Sequence, residues 1–265
     1  MSLLQETREI LKKNRLFPLV ESGQHFCVDE KVLAALLQEA EITREDVILE
    51  IGTGLGALTR ELARQAKTVI SIEKDRRLQT LISMPENVEV IWDDARKILR
   101  RRKDFNKIVA NIPYQIAEPL LQYLCTAPHV KLAVITVPES FARKAPQNIF
   151  FSAFLHLEAT HPISPQAFFP PPRTHSSLLK ITPRKNIDSA AFLCQQLFLQ
   201  RDKKLGNSLR ESLIALAKWE GKVLSKKEAV RKLQELHLSA SLLQERVQRV
   251  ALHHLWKIVS SAHNL

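Results

Sequence analysis

Between Val47 and Ile181 short apolar, β-branched runs alternate with amphipathic stretches, and few folds accommodate that order. VILEI (47–51), TVISIE (68–73), VEVIW (88–92), KIVANI (107–112) and LAVITV (132–137) are each too short for a typical helix and are predicted to be buried strands. Leu58–Gln65 and Asp75–Ile82 have helical patterning. Strand-helix alternation of this kind predicts an α/β domain with a mostly parallel sheet covered on both faces. FLHLEAT (154–160) and SLLKIT (177–182) are expected to add antiparallel strands. The stretch HPISPQAFFPPPR (161–173) is expected to be an ordered loop, because proline cannot donate to a ladder.

Past Pro183 no strand pattern is clear. Ala190–Leu199, Leu205–Trp219, Lys226–Leu236 and Ala240–Ile258 are predicted helices, which places a boundary near 184–188: a domain over 1–185 and a small all-α domain over 186–265. Charge is divided unevenly between them. Residues 1–183 carry 24 basic and 21 acidic side chains; residues 184–265 carry 15 and 7. That excess in the shorter part suits a polyanionic partner, bound through phosphate contacts and counterion release. Cys27, Cys125 and Cys194 are odd in number and widely spaced, so a zinc site or disulfide framework is not expected, and a reducing cytoplasm is. No apolar run reaches the roughly 18 residues of a membrane span, and the start lacks a secretory signal. No metal and no membrane partner are expected.

Glu50-Ile51-Gly52-Thr53-Gly54-Leu55-Gly56 ends the first strand and holds three of the six glycines of the chain. Ligands of open α/β sheets bind at the carboxyl ends of strands, and glycines let the backbone turn tightly beside them. The spacing G-x-G-x-G is not the dinucleotide fingerprint G-x-G-x-x-G. It suits a ligand without phosphates. Glu73 ends the second strand, where its carboxylate can accept from two ribose hydroxyls. Asp94 follows the third and can accept from an adenine amino group, although an acid there is more often a helix cap. Three successive strand ends thus carry candidate contacts.

Asn111-Ile112-Pro113-Tyr114 follows the fourth strand. An adenine amino nitrogen is a poor nucleophile because its lone pair is delocalised into the ring. A site helps by accepting both amino hydrogens, here with the Asn111 side-chain oxygen and the Ile112 carbonyl, so that the lone pair turns toward an electrophile. Pro113 would keep the carbonyl rigid, and Tyr114 would stack on an extruded base. Phe168, in Phe168-Phe169-Pro170-Pro171-Pro172, is a candidate for the opposite face of that base. The bland alternatives are a turn after a strand with Tyr114 in the core, and a core phenylalanine.

Taken with Gly23-Gln24-His25-Phe26, Ile72-Glu73-Lys74-Asp75, Asp94-Ala95, Phe141-Ala142-Arg143 and Phe168-x-Pro170-x-Pro172-x-x-x-Ser176, these motifs resemble the small-subunit ribosomal RNA adenine dimethyltransferases and, more distantly, the erythromycin-resistance methylases. The resemblance covers nearly the whole chain. It implies a Rossmann-like methyltransferase fold with a seven-stranded sheet, S-adenosylmethionine as cofactor, and two methyl transfers to each of two neighbouring adenosines near the 3′ end of small-subunit rRNA. The partner would be a pre-ribosomal particle and the enzyme a monomer. The resemblance also implies that Gln24, His25, Cys27, Glu50, Gly52, Gly54, Glu73, Lys74, Asp94, Ala95 and Asn111 surround the cofactor. Arg143, Arg173, Arg201, Lys203 and Lys204 would meet RNA. Leu197–Leu209 follows the dimethyltransferase pattern Phe-x-Gln-Arg-Arg-Lys-x-Leu better than that of a resistance enzyme. The chain departs from the family at Cys27 (usually Leu), at Glu21-Ser22 before Gly23, and over 138–152, where a Tyr-Gly-Arg-Leu-Ser segment is missing. These departures leave a non-catalytic assembly factor on the same fold as one alternative and a large-subunit rRNA methylase conferring macrolide resistance as another. A nicotinamide dehydrogenase fits neither the loop spacing nor the N-I-P-Y motif.

Overall fold

The computed structural model describes residues 1–262. In chain order the elements are α1 (Leu3–Lys13), β1 (Phe26–Cys27), α2 (Glu30–Ala40), β2 (Val47–Ile51), α3 (Ala57–Gln65), β3 (Thr68–Glu73), β4 (Val88–Trp92), α4 (Ala95–Arg101), β5 (Lys107–Ala110), α5 (Ala117–Leu124), β6 (Leu132–Pro138), α6 (Glu139–Lys144), α7 (Ile149–Phe154), β7 (Leu155–Ile163), β8 (Phe168–Phe169), β9 (Ser176–Pro183), α8 (Ser189–Leu199), α9 (Leu205–Trp219), α10 (Lys226–Glu235), α11 (Ala240–Gln244) and α12 (Leu252–Ala262). They fall into two compact units. One comprises Met1–Ala145 with His156–Pro183, the other Pro146–Leu155 with Arg184–Leu265.

The first unit is built on a seven-stranded sheet of order β4-β3-β2-β5-β6-β9-β7. β4, β3, β2, β5 and β6 pair in parallel, and β9 returns antiparallel to β6. After their first residues β2 and β3 are buried throughout, and β5 is buried at every position. A strand buried on both faces of its pleat must be covered on both sides. On one face Leu33 and Leu36 of α2 and Leu58 and Leu62 of α3 pack with Val69, Val109, Val134 and Leu178. The edge strands are more exposed, and Pro162 is tolerated in β7 because β7 is an edge. At the end opposite the carboxyl edge, Lys107 binds Asp46 at 2.9 Å and donates to the carbonyls of Ala40, the last residue of α2, and of Glu41, its C-cap. This cation completes the helix terminus and ties it to β5.

Four expectations needed correction. KIVANI (107–112) ends as a strand at Ala110, because Pro113 cannot donate and a 3-10 turn follows over Tyr114–Ile116. Asp75–Ile82 forms only a 3-10 turn, Arg76–Leu78, capped by Asp75; Thr80 and Ile82 are β-branched and Pro85 follows, which disfavours continuing a helix. The stretch 161–173 is not all loop, since β7 runs to Ile163 and β8 pairs antiparallel with β1 through Phe26↔Phe169 and Cys27↔Phe168.

The fourth correction lies in the second unit. Ala240–Ile258 is broken into α11, a 3-10 turn (Val247–Arg249) and α12. The break is made by extended pairing: Leu205 N donates to Glu245 O, and Val247 N donates to Lys203 O. This unit also takes in α7, which begins inside the 138–152 stretch. Asn148 caps α7, and Phe150 and Phe154 pack on Phe198 of α8 at ring separations of 5.6 and 5.2 Å.

Candidate active site

At the carboxyl ends of β2, β3, β4 and β5 the first unit opens a cleft of about 510 Å3. Gln24, His25, Cys27, Gly52, Gly54, Glu73, Lys74, Asp94, Ala95 and Asn111 all line it. The glycine loop forms its floor. Gly54 has φ +55°, and a Cβ there would stand 3.1 Å from the Phe26 ring, so backbone conformation and space both require glycine. The loop amides have protein acceptors: Gly52 N donates to Ile72 O at 2.8 Å, Gly54 N to Glu73 Oε2 at 2.9 Å, and Gly56 N to Thr53 O at 2.9 Å. None of the three glycine amides is left to cradle a phosphate, which separates this loop from a pyrophosphate site.

Each strand-end acid has its own situation. Glu73 is held by the N–H groups of Gly54 and Asp75, one on each oxygen, and burial pushes its carboxyl up. Each oxygen keeps a lone pair for a ligand hydroxyl. Asp94 caps α4, as the alternative reading had it, and Arg96 binds it through Nε and Nη2. Its carboxyl is held well below the usual range by that guanidinium, and Lys74 stands 3.8 Å away. Glu50 does not line the cleft. It is wholly buried, and its Oε2 accepts from Ser71 and Thr59 at 2.5 and 2.6 Å, while Thr53 bonds Ser71 at 2.6 Å. Burial pushes the Glu50 carboxyl up to about 8.

The N-terminal segment closes one wall. Gln24 accepts from Leu19 N and donates to Asp75. His25 Nδ1 lies 2.7 Å from Pro170 O; a carbonyl only accepts, so Nδ1 carries the proton. Burial raises the Cys27 thiol to about 11, which makes it inert rather than nucleophilic.

Asn111 Nδ2 donates to His25 O at 2.9 Å, which orients the amide. Its Oδ1 and the Ile112 carbonyl accept no hydrogen bond among the described residues. Ile112 is itself buried and anchors the turn. The Tyr114 hydroxyl bonds Ser176 at 2.6 Å, and its ring stacks on His25 with centroids 6.3 Å apart and planes 25° from parallel. Tyr114 is therefore a half-buried, fixed ring rather than a core residue. Phe168 departs from expectation. It is 3% exposed inside the core with Val32, Leu36 and Ile163, so its ring faces inward, where no base can stack on it, while the half-buried Phe169 takes the other side of the short β8.

Among the candidate RNA contacts, Arg143, Arg173, Lys203 and Lys204 are exposed. Lys204 bonds Gln244 and Lys203 bonds Gln200. Arg201 is different: it is half-buried, with its guanidinium 4.6 Å from the Phe198 ring centre, so it packs the second unit. Sequence reasoning missed Asp75 and Gln115 in the cleft wall and the Thr53–Ser71–Glu50–Thr59 network. Ser71 and Glu50 stand in otherwise apolar strands, and that intrusion of polar residues was the available signal.

The profile of the ribosomal RNA adenine dimethylase family matches residues 20–242. The chain belongs to that family. A probable ribosomal RNA small subunit methyltransferase A of Pyrococcus abyssi is 35% identical over 216 residues, 77% of this chain and 80% of that one. Its counterpart in Methanococcus aeolicus is 36% identical over 211 residues, 72% of this chain and 78% of that one. A dimethyladenosine transferase from Plasmodium falciparum superposes with TM-score 0.57 at 25% identity, covering 87% of this chain and 94% of the other. The 23S rRNA methyltransferase ErmE shares the fold, with TM-score 0.55 at 21% identity over 89% and 99% of the two chains. Enzymes of the dimethylase family are methyltransferases that use S-adenosylmethionine. A cleft with spent glycine amides and a poised Glu73 carboxylate fits such a cofactor, which has a ribose and no phosphate.

Proposed function

We propose that this dimethylase methylates the exocyclic amino group of two adjacent adenosines near the 3′ end of small-subunit rRNA, twice each, during ribosome assembly. The observation that carries the reading is the pair of unspent acceptors, Asn111 Oδ1 and Ile112 O, on a turn that emerges at the cleft. S-adenosylmethionine supplies an electrophilic methyl group. Gly52, Gly54, Gln24, His25 and Cys27 shape its pocket, Glu73 takes its ribose hydroxyls, and Asp94 and Ala95, with Lys74 at the rim, meet its adenine. Asn111 and Ile112 accept the two amino hydrogens of the target base and so direct its lone pair outward. Pro113 keeps the Ile112 carbonyl rigid, and Tyr114 supports the base. The amine would need no general base before attack: its nitrogen would gain the methyl carbon as the carbon–sulfur bond breaks, the thioether S-adenosylhomocysteine would be left behind, and the methylated cation would then give its proton to water. Holding both partners in line supplies most of the rate. The basic second unit, with Lys203 and Lys204, and Arg143 and Arg173 of the first, contact the RNA.

The test is methyl transfer to under-methylated small subunits, resolved by nucleoside mass spectrometry. Dimethyladenosine is the expected product. Asn111→Ala is expected to lower kcat by roughly a hundredfold or more, as losses of a positioned polar group do, with the fold intact by circular dichroism. Full activity in that variant would reject the mechanism.

A further inference from the structure

A second groove lies on the first unit, formed by α1 and the turn after it. We propose that it is a docking subsite for an unpaired RNA nucleotide flanking the target adenosine, with its base on Phe17 and its phosphates on Lys12 and Arg15. The inference rests on the rRNA reading above.

The groove holds about 510 Å3 and is lined by those three residues with Arg8, Leu16 and Phe169, among others. Phe17 is 80% exposed, and Leu19 and Val20 beside it are 43% and 51% exposed. Exposed apolar tips of this kind mark contact surfaces. The three cations are exposed and pair with no acid among the described residues. Arg8 instead lies over the Phe169 ring, 5.2 Å from its centre. That leaves Phe17 as an open aromatic face beside Lys12 and Arg15, which suits a strand that offers a base and a phosphate at each step.

The groove is also linked to the acceptor end of the cleft by a short series of contacts. Phe169 precedes Pro170, whose carbonyl binds His25, and His25 stacks on Tyr114. Gln115, directly after Tyr114, donates to Glu21 O at 3.3 Å, and Arg77 donates to Phe17 O at 3.4 Å. The segment from Phe17 to His25 is thereby tied to the acceptor turn at Glu21 and, at Phe17, to the turn that follows β3.

The experiment compares full-length wild type with Phe17→Ala and with Lys12→Gln/Arg15→Gln, all at exposed positions. Methyl-transfer kinetics and binding of under-methylated small subunits are measured across a salt series. Phe17→Ala is expected to raise the KM for RNA about tenfold, the loss of one stacked base, with kcat, S-adenosylmethionine affinity and salt slope unchanged. The double variant is expected to flatten the log–log salt slope by about one, as lost phosphate contacts do. Variants with wild-type KM and slope, beside an active wild type, overturn the subsite. So does a groove whose substitutions abolish binding to anionic phospholipid vesicles while leaving RNA kinetics untouched. A wild type that methylates no RNA overturns the underlying reading and this one with it.

Discussion

At the scale of residues, the site depends on polar atoms that have been assigned or left free. Asn111 is informative because its amide nitrogen is committed to His25 O, which leaves the oxygen as the only working end. Asn111→Asp would place a carboxylate oxygen against that carbonyl, so a substitution that keeps the acceptor still misplaces it. Glu50 is the second case. Burial pushes its carboxyl up to about 8, against the hydrogen bonds of Ser71 and Thr59 that favour the charged form. The folded state therefore holds this proton more tightly than the unfolded chain, whose glutamates titrate near 4.3. The stabilisation is fully present below about pH 4 and is lost as pH rises through about 8. Thermal melts of wild type should fall over that interval relative to Glu50→Gln, whose side chain has no charge to bury. Parallel curves for the two proteins would show that Glu50 is ionised in the fold throughout.

At the scale of elements, the Asp46–Lys107 pair shows how a strand and a helix are fastened beneath the cleft. Burial raises the Asp46 carboxyl, but bonds from Lys107, Thr43 and Asn106 outweigh it and hold the group at about 2. Lys107→Met removes the counter-charge of Asp46, which keeps its bonds from Thr43 and Asn106, and the donor to the Ala40 and Glu41 carbonyls, and is expected to cost roughly 3 kcal/mol. Acid titration supplies a second reading. The depressed carboxyl contributes stability above its unfolded value near 4 that is lost as pH falls through about 2. The gap between wild type and Lys107→Met in urea melts should narrow across that range. The strands of the sheet were legible in the sequence because β2, β3, β5 and β6 are short, β-branched and buried on both faces. The β1–β8 ladder was not, since two residues a side have no period to detect. The failed helix at Ala240–Ile258 had good helical patterning, and only its pairing with Lys203–Leu205 breaks it, a contact some forty residues away that no local window contains. The site divides the same way. Asn111–Tyr114 and the glycine loop are contiguous and could be read; Thr53, Thr59, Ser71 and Glu50 meet from separate segments, and Phe168 and Phe169 differ only in which side of β8 they face.

At the scale of the molecule, the charge of the chain is concentrated where the chemistry is not. Of the net +11, residues 184–265 hold +8, and the cofactor cleft lies wholly in the first unit. A ligand without phosphates in that cleft has little reason to respond to salt, whereas a polyanion bound by exposed lysines responds steeply. S-adenosylmethionine affinity should therefore stay flat between low and physiological salt while the KM for ribosomal particles rises. Within the second unit the structure separates cations of two kinds. Lys203 and Lys204 are exposed and their ammonium groups bind only glutamine amides among the described residues, so Lys203→Gln/Lys204→Gln should flatten the salt slope by roughly 1–2 at unchanged stability. Arg201 lies on Phe198 and donates to its carbonyl, so Arg201→Gln should leave the slope alone and cost about 1 kcal/mol of stability, the usual size of such a contact. If Arg201→Gln flattened the slope as strongly as the lysine pair, its guanidinium would have to leave the ring to reach RNA, and the division between packing and binding cations in this unit would fail.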